Sequence, residues 1–141
     1  MRGFTLLELL CVLGVLAILV AIALPTANSW RAESDLAKVR TDLAVLQSAA
    51  EAYYFKFKTY PPLENYQETL IGQTNLFQQK LLDPLTKAEY IYKLYGRYYI
   101  FLSPGLDRVV DFSGADLDLQ TGILRSGQYD DVLVTNLKVL K

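Results

Sequence analysis

Apolar positions are spread very unevenly along the chain. From Leu9 to Leu24 they run unbroken, and Phe4 to Leu24 holds a single charge, Glu8. A helix needs about 20 apolar residues to cross a bilayer, so this stretch predicts a membrane-spanning helix. Beyond Pro25 the pattern becomes amphipathic. Leu36, Val39, Leu43, Leu46, Ala50, Tyr53 and Phe57 recur at steps of three and four, which traces one face of an α-helix. Arg31, Glu33, Asp35, Lys38, Arg40, Asp42 and Glu51 fall on the other faces. A single helix from about Phe4 to about Lys58 would be roughly 80 Å long at 1.5 Å per residue. Gly14 and Pro25 are its weak points, and Pro25 predicts a kink or local melting over Ala21 to Pro25.

Thr59-Tyr60-Pro61-Pro62 ends that helix, because two prolines cannot continue it. Leu63 to Leu82 is mostly polar and reads as a loop, interrupted at Gly72, with a short helix near Asn75 to Leu82. Glu89 to Leu94 and Arg97 to Leu102 are aromatic and β-branched and flank Tyr95-Gly96, which predicts an antiparallel hairpin. Its tyrosines suit core and cross-strand pairing, since no basic surplus accompanies them as a nucleic-acid stacking platform would require. Ser103 to Asp107 reads as a tight turn and Arg108 to Phe112 as a third short strand. An acidic, glycine-rich loop follows over Ser113 to Gly122. A last extended piece spans Gln128 to Val134, before the tail Lys138 to Lys141.

Composition narrows the function classes. The 141 residues suggest one domain, and removing the long helix leaves roughly 80 residues for a head with a small core. A net charge of −1 gives no reason to expect nucleic-acid binding. With no histidine, no glycine-rich phosphate loop and no nucleophile beside a base, the chain does not read as an enzyme. Its single cysteine, Cys11, lies in the apolar run and cannot close an intrachain disulfide.

Glu8 is the feature a plain membrane anchor does not explain. A carboxylate inside an apolar helix costs a few kcal/mol or more and calls for a positive partner. A secretory signal is disfavoured because only Arg2 precedes a long apolar run and no small-x-small site closes it cleanly. The segment Arg2-Gly3-Phe4-Thr5-Leu6-Leu7-Glu8, with Pro25 further on, resembles the processing region of type IV pilins and type II secretion pseudopilins. The resemblance implies cleavage between Gly3 and Phe4 by a prepilin peptidase and N-methylation of Phe4. It also implies that Glu8 pairs with the new amine of a neighbouring subunit in a filament, so that Phe4, Glu8 and Pro25 serve assembly.

The later chain resembles the major pseudopilin of type II secretion in Asp83-Pro84, Tyr90 to Tyr92, Ser103 to Asp107 and Asp130-Asp131-Val132. In that family the turn and the acidic run hold calcium, which implies Asp107, Asp130 and Asp131 as ligands here. Asp116 and Asp118 are further candidates in the intervening loop. Calcium takes six to eight oxygen donors, which clustered aspartates and backbone carbonyls supply. The implied fold is α+β, the type IV pilin fold, with a long N-terminal helix packed on a small antiparallel sheet. Residues 1–3 would be a leader, 4–25 the transmembrane or filament-core helix, 26–58 the amphipathic helix and 59–141 a periplasmic head. The implied protein is a single-pass inner-membrane subunit of a homopolymer pseudopilus that drives export. Its partners would be membrane lipid, an assembly platform and minor pseudopilins. A type IV pilus subunit for adhesion, motility or DNA uptake is the alternative, and a tethered binding domain that never polymerises is a third.

Overall fold

The computed structural model describes residues 4–113, 117, 118, 121, 123–125 and 130–140, without the side chains of 23–29, 123, 125 and 138–140. By its contacts the chain divides into two compact units, Met1–Ser34 and Asp35–Lys141. The first unit is the beginning of helix α1, Leu6–Phe57. Every described side chain from Phe4 to Ile22 is exposed. The helix is continuous through Ala21 to Pro25, so the local melting expected there does not occur. Among the described residues no helix is long and apolar enough to cross a membrane. Described side chains of the expected span over 4–25 stop at Ile22.

In the second unit α1 buries Val39, Leu43, Leu46 and Ala50 of the stripe its periodicity predicts, with Ala49 beside them. Phe57 of that stripe is exposed, whereas Asp42, expected on another face, is buried and accepts the Tyr90 hydroxyl at 3.0 Å. Phe57 ends the helix. Lys58 follows with φ 58° and donates its backbone N–H to the Tyr54 carbonyl at 2.7 Å, and the chain then enters Tyr60-Pro61. The next helix is α2, Tyr66–Thr74, rather than a helix near Asn75 to Leu82. Asn65 and Asn75 bracket it in left-handed conformation, which asparagine tolerates better than most residues. Buried Gln67 fixes the segment that follows. Its amide donates to the Leu81 carbonyl at 3.0 Å and accepts the Leu81 N–H at 2.7 Å.

Strands β1 (Ile91–Tyr95) and β2 (Tyr98–Ser103) form the expected hairpin, with Tyr95 opposite Tyr98. Gly96 makes the turn at φ 61°, a conformation that hairpin loops require and glycine adopts freely. β5 (Val132–Thr135) pairs antiparallel on the other side of β2, giving the order β1-β2-β5. Arg108 to Phe112 is not a strand, because β1 and β5 already occupy both edges of β2. Instead β3 (Leu117–Asp118), β4 (Ile123–Arg125) and β6 (Lys138–Leu140) make a second small sheet, in which β4 and β6 run parallel.

Side chains alternate across a strand, and on β2 both faces are buried. Tyr99 and Phe101 pack with Val39, Leu43, Leu46, Tyr66, Leu70 and Tyr90 in one core. Ile100 and Leu102 pack with Phe112, Leu117, Leu124 and Leu137 in another. Buried Asp83 ties the loop before β1 to the end of β2. Its carboxylate accepts the Leu85 N–H at 2.7 Å and the Ser103 hydroxyl at 2.6 Å.

Candidate functional site

The N-terminal candidates lie around the first turn of α1. Thr5 precedes the helix, and its Oγ1 accepts the Glu8 N–H at 3.3 Å, as an N-cap does. Thr5-Leu6-Leu7-Glu8 has the threonine-x-x-glutamate spacing of a capping box, and an acid in the first turn suits the positive end of the helix dipole. Phe4 and Glu8 are both exposed. Gly3 lies outside the described residues, as does the side chain of Pro25.

The second site is built by the sheet. Ser103 of β2 pairs with Val132 of β5, so the turn leaving β2 and the acidic run entering β5 meet. Asp107, Asp111 and Asp130 bring one carboxylate oxygen each to within 4.8 Å of one another. Asp107 Oδ1 accepts the Val109 N–H at 2.8 Å, and Asp130 Oδ2 accepts the Asp107 N–H at 3.4 Å. Gly105, at φ 74°, sits flat against Asp130. A Cβ there would come within 2.6 Å of the Asp130 carbonyl oxygen and 2.7 Å of its Oδ2. Arg108 takes φ 63°, a strained conformation for a residue with a side chain.

Asp131 holds this loop from below. Its Oδ2 accepts the backbone N–H groups of Asp111 at 3.0 Å and Phe112 at 2.8 Å. Its Oδ1 is buried and has no hydrogen-bond partner among the described residues. Burial, with the nearby Asp111 and Asp130 charges, pushes the Asp131 carboxyl up from its ordinary value against the lowering effect of the two backbone donors. Three gathered carboxylates, an adjacent orphaned carboxylate oxygen and a glycine that leaves the Asp130 oxygens uncovered fit a hard divalent cation such as Ca2+.

Of the residues the sequence pointed to, Asp107 and Asp130 are in the group, and Asp131 lies just behind it. Asp111 completes the three, although the sequence offered it only inside an expected strand. Asp118 lies in β3, accepts the Thr121 N–H at 3.3 Å and is not one of the three. Asp116 lies outside the described residues.

Comparison with known proteins bears on both sites. The family model described as the prokaryotic N-terminal methylation motif matches residues 1–24. The model described as type II secretion system protein G matches residues 28–132. The chain belongs to the type II secretion protein G family. A type II secretion system core protein G of Klebsiella pneumoniae is 31% identical over 78% of this chain and 80% of its own length. That of Aeromonas hydrophila is 28% identical over 96% of this chain and 93% of its own. A type IV major alpha-pilin of Moraxella bovis is 40% identical, but over 41% of this chain and 36% of its own. No solved structure matches. As a protein G family member the chain is a pseudopilin, and a long N-terminal helix with a small three-stranded antiparallel sheet is the type IV pilin arrangement.

Proposed function

We propose that the chain is the structural subunit of a type II secretion pseudopilus, built from the inner membrane by packing of N-terminal helices and used to push proteins outward. The observation that carries this reading is coverage. The methylation motif on 1–24 and the protein G region on 28–132 together account for nearly the whole chain. The pilin relatives cover less than half of it, so a surface pilus for adhesion, motility or DNA uptake is the weaker alternative.

Prepilin peptidase cuts after Gly3 and Phe4 is methylated. The exposed apolar face of Leu6 to Ile22 rests in lipid until it meets neighbouring subunits and the assembly platform. Glu8 of one subunit then neutralises the Phe4 amine of the next, removing two costly charges from an apolar setting and fixing the axial register. The role is structural, and the head faces the periplasm. Asp107, Asp111 and Asp130, with Asp131 behind them, would hold Ca2+, which would supply positive charge among the gathered carboxylates. Mass spectrometry of the mature N-terminus is expected to give N-methylated Phe4. Glu8→Gln is expected to stop filament formation while leaving the monomer in the membrane fraction. Fibres of unchanged abundance from Glu8→Gln would overturn the assembly role.

A further inference from the structure

Trp30 is the single tryptophan of the chain. It is 68% exposed, and exposed Arg31 follows it. Both belong to the first unit, Met1–Ser34. No charged residue stands between Glu8 and Arg31, whereas Glu33 and Asp35 come directly after. Trp30 therefore marks the place where the stem changes from uncharged to charged sequence.

Distance along the helix says what this side chain meets. α1 is continuous from Leu6 past Trp30. Glu8 and Trp30 stand 22 residues apart on it, about 33 Å at 1.5 Å per residue. The hydrocarbon layer of a bilayer is about 30 Å thick, and about 40–45 Å with both headgroup layers. A stem seated with Glu8 at one edge of the hydrocarbon thus brings Trp30 to the opposite edge. Side chains on a helix lean toward its N-terminus, so the indole tips back toward the lipid and away from bulk water. Its flat apolar ring and single N–H suit the headgroup level, where tryptophan is enriched in membrane proteins. Arg31 stands one residue further out and carries the forked donors that match a lipid phosphate.

We propose that Trp30 and Arg31 bind the outer headgroup layer and set the depth at which the stored subunit sits, with Glu8 held at the inner edge of the hydrocarbon. This rests on the reading above that the stem lies in lipid before assembly. The partner is a lipid surface, chosen over a neighbouring copy because the span from Glu8 to Trp30 matches a bilayer and a phosphate-binding side chain lies just beyond it.

Trp30 can report on itself, since no second tryptophan competes with its fluorescence. The full chain is reconstituted at low protein-to-lipid ratio in vesicles of phosphatidylethanolamine and phosphatidylglycerol. Their acyl chains carry bromine either near the ester end or near the methyl end. Trp30 is expected to be quenched at least about twofold more by the shallow bromine than by the deep one. Leu19→Trp with Trp30→Tyr moves the reporter to mid-stem, keeps an interfacial ring at position 30, and is expected to reverse that preference. Leu19→Trp with Trp30→Ala and Arg31→Ala is expected to lose at least about half of the deep preference, because nothing then fixes the depth. An unchanged preference in that last variant would overturn the anchor. So would a Trp30 that neither bromine quenches while Leu19→Trp is quenched by the deep one. Trp30 emission that then shifts with protein-to-lipid ratio would assign the indole to a neighbouring copy instead. A Leu19→Trp reporter that neither bromine reaches would overturn the membrane reading, and the anchor with it.

Discussion

At the scale of single residues, the acidic loop depends on Gly105 as much as on its carboxylates. A side chain there meets Asp130 backbone at 2.6 Å and must hold φ 74°. Gly105→Ala is therefore expected to weaken Ca2+ binding at least about tenfold and to destabilise the head by about 1–2 kcal/mol, the usual cost of left-handed backbone. Calorimetric titration with Ca2+ and chemical denaturation in chelator check the two effects separately. Asp111→Asn is expected to weaken Ca2+ binding and Asp118→Asn to leave it unchanged in the same titration, since only Asp111 stands with Asp107 and Asp130. Equal effects of the two would mean that the gathered oxygens are not the ligands. The sequence marked Asp107 and Asp130 through a turn and an acidic run, but it hid Asp111. Val109 and Val110 beside it carry strand propensity, and only the two neighbours of β2 deny them a pairing edge.

At the scale of elements, what could be read from the sequence was what periodicity encodes. Spacing of Val39, Leu43, Leu46 and Ala50 placed the buried face of α1, and the aromatic runs around Gly96 placed the hairpin to within a residue or two. The position of α2 was not legible, because it is set at a distance. Gln67 reaches Leu81, and two asparagines in left-handed backbone start and stop the helix. Asn75→Gly is accordingly expected to be tolerated or mildly stabilising, whereas Asn75→Val should cost about 1–2 kcal/mol in urea denaturation. If valine were neutral there, the helix would end for some other reason. The second sheet was also missed. Its strands are two or three residues long and alternate with nothing that marks them locally.

At the scale of the whole molecule, the first core of the head is held by phenols. Burial, first of all, pushes the hydroxyls of Tyr66, Tyr90, Tyr92 and Tyr99 well above the ordinary tyrosine range. The Asp42 carboxylate adds to this at Tyr90, and Glu51 does so at Tyr99. A group whose folded-state value is raised gives stability that is complete below its unfolded value, about 10 for tyrosine, and is lost as pH climbs from there. Thermal melts followed by circular dichroism are expected to be flat through pH 8 and 9. Above about pH 10 they should fall steeply, by up to about 1.4 kcal/mol per pH unit for each buried tyrosine. A flat profile to pH 12 would mean that these rings reach water. The doubly covered strand β2 carries this further. Tyr99 and Phe101 serve one core while Ile100 and Leu102 serve the other, so displacing β2 takes packing from both. Whatever frees one face of this strand strips the cover from the other face too.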